Sequence, residues 1–234
     1  MDAKMPVPTL YVEGKDDISV ISNLLFRHGV DTERGKQYLN IKDLGDVESV
    51  LKIIPDAIKT STESPVGFII DIDIKVSDRW NAVRAKLQEV GLTPPNNCPS
   101  TGYFDQLLDY PHRFGVWLMP DCTTDYSKIE HLVQSLIPQD DPLWTHAQQS
   151  VIKAENLVDD ANKTIAEEEK QWKKFRDVDR IKAEVHTWLA WQRSPGAPFG
   201  AAINDRILGH DSPQAINLLR WIKDLYAFPD ITSA

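Results

Sequence analysis

Two short apolar runs in this sequence each end in acidic side chains, and carboxylates in such positions can bind a metal ion. The run 9–12 is followed by Glu13, and the run 66–70 is followed by Asp71 and Asp73. Clustered carboxylates repel one another and raise one another's pKa, so a cluster of this kind needs a counter-charge. Mg²⁺ prefers a few carboxylate oxygens together with water and phosphate oxygens. The two motifs therefore predict a site for Mg²⁺ or Mn²⁺.

Three further acids are candidates for the same site. Asp17 lies four residues after Glu13, near the start of a predicted helix, and Asp121 follows a predicted strand at Phe114–Met119. In an open parallel sheet, ligands bind outside the carboxyl ends of the strands, so Asp17 and Asp121 are expected at the same edge. Glu130 lies on the helix that follows. The pattern leaves open whether Glu130 completes the metal cluster or faces water.

The elements that must position these acids alternate between strand and helix. Helical spacing of apolar residues, a helix cap at Asp46 and helix ends at Gly29 and Gly91 predict helices that begin near residues 16, 46, 77 and 127. The alternation is typical of a mostly parallel, Rossmann-like sheet flanked by helices, so the predicted fold class is α/β. The predicted strands are 9–12, 38–41, 66–70, 102–108 and 114–119.

The pattern changes near Pro138, where strands give way to helices. A long helical stretch is followed by two shorter helices, at 199–209 and 213–227. The predicted division is an α/β core of residues 1–138 and a helical appendage of residues 139–234 that packs on the core. The apolar positions that define the first helical face are 151, 154, 158, 161 and 165.

Three tryptophans of the helical half, Trp188, Trp191 and Trp221, have two interpretations. Aromatic rings of this kind can stack on bases in single-strand binders. At helical spacing beside leucine they are more often core residues, and we expect them in the core.

Composition restricts the classes of function. The 234 residues include 26 Lys and Arg against 35 Asp and Glu, a net charge of −9, which argues against a self-sufficient basic nucleic-acid binder. The two cysteines, Cys98 and Cys122, form no metal-binding pattern and are expected to be reduced thiols. We recognise no signal peptide and no apolar run of membrane-spanning length. The expected location is the cytoplasm, with no membrane association.

The residues also resemble a known family. The strand end Glu13-Gly14, followed by Asp71-Ile72-Asp73, resembles the Toprim fold of type IA and type II topoisomerases, bacterial primases and nucleases of the overcoming-lysogenization-defect (OLD) group, over about residues 8–135. Other motifs are similar to the small stand-alone Toprim proteins grouped as DUF3226, over nearly the whole chain. These motifs are Trp117-Leu118-Met119-Pro120-Asp121, Ile129-Glu130, Lys182, His186-Thr187-Trp188-Leu189-Ala190-Trp191-Gln192 and Pro195-Gly196.

The resemblance implies roles for individual residues. Glu13 matches the Toprim glutamate, a metal ligand or general acid/base, and Asp71 with Asp73 matches its pair of metal-binding aspartates. Asp17 matches the second acid of OLD-type nucleases. Those nucleases also use a lysine to offset transition-state charge, and Lys182 is the candidate by its position in the chain.

His186 lies one helical turn after Lys182, so the two side chains share a helix face. One interpretation is a catalytic lysine with an assisting histidine. The other is a solvent-exposed pair beside a stripe of core residues.

The function implied by the resemblance is a Mg²⁺- or Mn²⁺-dependent endonuclease that hydrolyses DNA or RNA. The length leaves out the DNA gate of a topoisomerase and the template-handling domains of a primase. OLD-type systems further imply a partner ATPase of the ABC/SMC type and a setting in bacterial defence against phage. The choice between a monomer and a homodimer stays open.

Two alternatives belong to other classes. The chain could be a Toprim binding or regulatory module with a weak metal site, acting through protein contacts of its helical half. It could also transfer nucleotides or synthesise primers, in which case it incorporates nucleotides and does not hydrolyse a strand.

Overall fold

The computed structural model describes residues 8–32, 39–108, 110–163 and 172–228. Within these residues the chain forms five strands, eight α-helices and a short 3-10 helix at Asp177–Asp179. The strands are β1 Thr9–Val12, β2 Asn40–Asp43, β3 Val66–Asp71, β4 Tyr103–Asp105 and β5 Phe114–Met119. The helices are α1 Lys15–Arg27, α2 Val47–Thr60, α3 Val76–Gln88, α4 Ile129–Ser135, α5 Pro142–Asn162, α6 Arg180–Ala190, α7 Phe199–Asn204 and α8 Pro213–Tyr226.

The five strands form one sheet in the order β2-β1-β3-β5-β4. Neighbouring strands are parallel except β4, which runs antiparallel to β5 at one edge. The chain moves from β1 outward to β2 and then returns to place β3 on the other side of β1. This reversal makes the carboxyl ends of β1 and β3 the switch point of the sheet, where open α/β proteins bind ligands. The predicted α/β class with a mostly parallel sheet is confirmed.

The central strands follow the sequence pattern closely. β1 and β5 have the predicted bounds, and β3 extends one residue further to include Asp71. The second strand begins at Asn40 instead of residue 38, which lies outside the described residues, and β4 covers only three of the seven residues predicted. Asp46 caps α2 as predicted, because its carboxylate accepts a 2.7 Å hydrogen bond from Ser49 N.

Contacts divide the chain into two compact units. One unit comprises Met1–Leu136 together with Pro198–Ala234, and the other is Ile137–Ala197. The boundary predicted near residue 138 is therefore close to the first division, but α7 and α8 group with the sheet and not with the helices that precede them. The helical segment is an insertion in the chain of the α/β unit.

Helix α7 packs on α1 in the α/β unit. A Cβ atom added at Gly200 would lie 2.2 Å from Ser19 Oγ, so only glycine permits the approach. Arg27 Nη1 donates to Ile203 O at 2.8 Å at the end of the same pair of helices. The contact explains why 198–228 belongs with the sheet.

Helix α8 covers the sheet through Trp221, which is buried. Its ring lies over two glycines, since a Cβ atom at Gly102 would lie 2.3 Å from the indole and one at Gly115 would lie 2.9 Å from it. Gly102 also has a φ of +79°, a conformation that favours glycine. The indole is stacked 5.8 Å from the ring of Phe104. The prediction that Trp221 is a core residue is confirmed.

The second unit pairs α5 with α6. The buried positions of α5 are Ala147, Val151 and Glu155, which follow a step of four residues. Glu155 forms a 2.6 Å ion pair with Arg180 at the start of α6. Of the apolar face predicted here, Val151 is buried but Ala154 is exposed, because the helix turns a different stripe inward. Ala161 is also exposed, Val158 is partly buried, and position 165 lies outside the described residues.

The tryptophans of α6 differ in burial. Trp188 is fully buried, as predicted. Trp191 is 40% exposed, contrary to prediction, because the helix ends at Ala190 and Trp191 occupies the cap position, with its ring 4.8 Å from that of His146.

In the described part of the chain, no helix has both the length and the apolar character that a membrane crossing requires.

The burial of Trp221 predicts a large effect on stability. We expect Trp221→Ala to lower the free energy of unfolding by about 3–5 kcal/mol, because it leaves a cavity above Gly102 and Gly115. The matched change Trp191→Ala, at a partly exposed cap, should cost about 1 kcal/mol or less. Urea denaturation followed by circular dichroism measures both. Equal costs for the two variants would contradict the packing described for α8.

Candidate metal centre

Three carboxylates converge at the switch point of the sheet. Glu13 follows β1, Asp71 is the last residue of β3, and Asp73 lies two residues beyond it. One oxygen from each of the three lies within 4.8 Å of the others. We call Glu13, Asp71 and Asp73 the acidic triad. The prediction that these two strand ends meet agrees with the geometry.

The loop after β5 fixes the backbone that carries the triad. Ile72 N and Asp73 N both donate to Ser127 O, each at 2.9 Å. Ser127 is fully buried, and its hydroxyl donates to Met119 O at 3.0 Å, at the end of β5. Asp73 has a φ of 51°, so it leaves the strand direction directly after the buried side chain of Ile72. Strand β5 thereby holds the end of β3.

Two carboxylates of the triad, those of Glu13 and Asp71, lie where burial limits their solvation by water. Glu13 Oε1 accepts a 2.7 Å hydrogen bond from Asp71 N, yet burial and then the charges of Asp17 and Asp73 raise the pKa of Glu13 to about 7. Burial, followed by the charges of Asp17 and Glu13, raises the pKa of Asp71 well above its usual range. Asp71 Oδ1 is buried and has no hydrogen-bond partner among the described residues. A buried carboxylate oxygen in this state is suited to a cation.

Two more acids, Asp17 and Glu130, lie behind the triad. Asp17 is buried in the first turn of α1, and its Oδ2 accepts from Gly14 N at 3.0 Å. Burial, together with the charge of Glu130, raises the pKa of Asp17 to about 7. Glu130 is buried in the first turn of α4, so of the two alternatives left open for it, facing water is excluded. Its charge also acts on Asp71.

Asp121, also predicted as a metal ligand, is not among the three clustered carboxylates and bonds within its own loop, so its metal role stays a prediction. Its Oδ1 accepts from Thr123 N at 2.9 Å and from Thr124 N at 3.0 Å, and both threonine hydroxyls also donate to the carboxylate. These bonds close the turn after β5. Asp121 also lines a cleft of about 500 Å³ with Phe104 and Arg220, and it contributes no oxygen to the triad.

Lys182 and His186 lie on the exposed side of α6, one turn apart as predicted. Helix α6 belongs to the unit Ile137–Ala197, whereas the triad belongs to the α/β unit. The catalytic role considered for Lys182, and the assisting role considered for His186, stay predictions.

Two basic residues near the triad were not identified from the sequence. Lys128 Nζ lies 4.0 Å from Asp73 Oδ1, with only 12% of its side chain exposed. Arg79 is buried, its Nε donates to Ile72 O at 3.2 Å, and its charge lowers the pKa of Glu13. Only their place in the sequence could have pointed to these two residues. Each lies near the start of a helix that follows a strand end carrying an acid.

The fold and the triad define a mixed α/β protein with a carboxylate cluster at the switch point of a five-stranded sheet, consistent with a Toprim-like fold. The chain belongs to the family described as "Protein of unknown function (DUF3226)", whose family model matches residues 7–227. The predicted DUF3226 membership is thus confirmed. No curated protein and no solved structure matches the chain.

The raised pKa values predict how stability depends on pH in the absence of metal. Folding raises the pKa of Glu13 from 4.5 to about 7 and that of Asp17 from 3.8 to about 7, so the folded state retains protons that the unfolded state releases. This stabilisation is complete below about pH 4 and is lost as the pH rises through about 7. We therefore expect the free energy of unfolding to fall between about pH 4 and about pH 7 and to level off above that.

Urea denaturation in the presence of a chelator measures this slope. Asp17→Asn should reduce the slope, since the amide cannot ionise but can still accept from Gly14 N. Asp56→Asn, at an exposed position on α2, is the matched control and should retain the slope. An unchanged slope in Asp17→Asn would show that the buried acids do not carry the pH dependence.

Metal binding should relieve the repulsion within the triad. We expect Mg²⁺ or Mn²⁺ to raise Tm at about pH 8, above the pKa of about 7 of Glu13, and to bind at least about tenfold more weakly to Asp71→Asn and Asp73→Asn. Asp121→Asn changes another strand-end aspartate and should bind metal as the wild type does. Isothermal titration and thermal unfolding measure both effects. Equal loss of binding in all three variants would place the metal elsewhere.

Proposed function

We propose that this protein is a metal-dependent endonuclease that hydrolyses phosphodiester bonds in DNA or RNA. The observation that carries the proposal is the meeting of Glu13, Asp71 and Asp73 at the switch point, with their oxygens within 4.8 Å. One oxygen of Asp71 is buried there and has no hydrogen-bond partner in the described part of the chain. Such a donor set fits a hard divalent cation. The resemblance of the two strand ends to Toprim nucleases supports the same chemistry.

The triad supplies the ligands for Mg²⁺ or Mn²⁺, and Asp17 with Glu130 supplies further negative charge behind it. When bound there, a divalent cation binds phosphate oxygens and lowers the pKa of a coordinated water. An acidic chain needs such a bridge to a polyanionic substrate, since carboxylates and phosphates repel each other at close range.

The remaining roles belong to side chains around the triad. Glu13 follows β1 and is held by Asp71 N, which orients its carboxylate for proton transfer as a general acid or base. Lys128, 4.0 Å from Asp73, carries a positive charge that can stabilise a phosphate oxygen as negative charge develops. Arg79 limits the repulsion around Glu13 from its buried position.

The partners follow from charge and from the resemblance. A net charge of −9 fits a subunit that relies on a partner for positive surface, and OLD-type systems point to an ATPase of the ABC/SMC type. The proposed setting is bacterial defence against phage, in the cytoplasm, where Cys98 and Cys122 stay reduced. The proposed oligomeric states are a monomer and a homodimer.

A second candidate function is a binding or regulatory module with weak metal chemistry. Trp172 and Trp191 of the helical unit are 51% and 40% exposed, which favours a surface for protein contacts. Nucleotidyl transfer is a third candidate and predicts incorporation of labelled nucleotides. A cleavage assay separates the endonuclease from the other two, because only an endonuclease shortens its substrate, and incorporation of labelled nucleotides separates the remaining two.

The assay incubates the protein with Mg²⁺ or Mn²⁺ and plasmid, single-stranded DNA or tRNA, alone and with an ATPase partner. We expect cleavage that a chelator abolishes and that the double variant Asp71→Ala, Asp73→Ala lowers by more than about 100-fold. Absence of cleavage under all of these conditions, or full cleavage by the double variant, would contradict the proposal.

The same assay compares the two candidate lysines. Lys128→Ala should lower kcat by about 10- to 100-fold if its charge stabilises the transition state, with metal affinity nearly unchanged. Lys182→Ala is the parallel variant in the helical unit. A loss of kcat in Lys182→Ala with none in Lys128→Ala would assign the role to Lys182.

A further inference from the structure

One aromatic and one aliphatic side chain in the loops next to Asp73 are exposed. Tyr126 is 50% exposed and Ile74 is 39% exposed, and they lie in the loops that follow β5 and β3. We call these two residues the Tyr126–Ile74 ridge. Single exposed apolar residues are common on protein surfaces, so exposure alone does not assign a role.

Backbone hydrogen bonds hold the ridge next to Asp73. Tyr126 N donates to Ile74 O at 2.7 Å, and the following residue, Ser127, accepts from Asp73 N at 2.9 Å. Asp125 Oδ1 accepts from Val76 N at 2.7 Å on the other side of the pair. The two loops are therefore cross-linked at three successive positions. The ridge is part of the framework that sets the triad.

The conformation of Tyr126 is costly for folding. Its φ is 55°, in the left-handed region, which is a genuine outlier for a bulky residue. Burial could offset such strain, but half of this side chain stays exposed. Strained residues that the surrounding structure holds in place cluster at functional sites. Folding alone gives no reason for a tyrosine at this position.

The charge around the ridge indicates what it contacts. Lys75, next to Ile74, is exposed, and Lys128 lies two residues after Tyr126 and 4.0 Å from Asp73. An exposed aromatic ring in the same pair of loops as two lysines and the proposed cation site fits the alternation of base and phosphate along a nucleic-acid strand, although Asp125 adds one negative charge to these loops. A ring stacks on a base only when that base is unpaired and accessible, so paired duplex does not fit the ridge.

We propose that Tyr126, supported by Ile74, stacks on an unpaired nucleobase next to the scissile phosphate. This inference rests on the proposed endonuclease function and deepens it by naming the substrate class. The substrate is single-stranded nucleic acid, or an unpaired stretch within a duplex. Tyr126 is a positioning residue for the strand, and the triad acts on the phosphate beside it.

The test measures how tightly the protein binds a short single-stranded oligonucleotide that carries a fluorescent base analogue. The buffer contains Ca²⁺. Tyr126→Ala should weaken binding by about 5- to 100-fold and reduce quenching of the analogue, because the stacking partner is gone. Tyr126→Phe keeps the ring and the backbone strain, so it should bind within about twofold of the wild type. The metal-induced rise in Tm should be the same in all three proteins, which confirms that the loops remain folded.

The outcomes test separately the stacking role of the ridge and the proposed endonuclease function. Wild-type affinity in Tyr126→Ala, with cleavage intact in the wild type, overturns the ridge and leaves the endonuclease. A loss in Tyr126→Phe as large as in Tyr126→Ala also overturns the ridge, since the ring is then irrelevant. Tighter binding of fully paired duplex than of single strand overturns the substrate class. Failure of the wild type to bind or cut any single strand, with cleavage of plasmid intact, overturns the ridge and leaves the endonuclease. Failure to cut every substrate of the cleavage assay overturns both proposals.

Discussion

Repulsion among carboxylates that water cannot fully solvate is the constraint on which this site depends. Glu13 and Asp71 lie close together, and burial raises the pKa of both. Such a cluster does not stabilise a protein core, because each added negative charge raises the free-energy cost of ionising the other carboxylates. The sheet, the loops and the two nearby basic residues keep these acids together, and the proposed cation would compensate their charge.

The order of the strands explains why the acids meet. Glu13 and Asp71 are separated by 57 intervening residues but lie on adjacent strands, because the chain places β2 outside β1 before β3 pairs with β1. The loop after β5 adds a second constraint, since the carbonyl of Ser127 accepts from both residues that follow Asp71. The site therefore depends on three strands at once, and no single helix or loop could assemble it.

The sequence was informative where a short pattern fixes the backbone. Strand ends are such positions, so Glu13, Asp71 and Asp73 could be identified and brought together before the structure was known. Asp121 follows a strand in the same way, yet local hydrogen bonds to Thr123 and Thr124 outcompete the shared site, and spacing along the chain does not reveal that preference. The sequence does not indicate a role for Lys128 at the site, because that role depends on its distance to Asp73. The grouping of α7 and α8 with the sheet depends on close packing at glycines, which a hydrophobic pattern does not register.

The bond between Tyr226 and Thr9 sets an order of events for folding. Tyr226 Oη donates to Thr9 O at 2.7 Å, across a separation of 217 residues. The sheet face that α8 covers stays open during synthesis until residues 213–226 have been made, and residues 137–197 are made in between. Long-range closure of this kind slows folding. Until α8 docks, the uncovered sheet face is an exposed apolar surface on which a partly folded chain can aggregate.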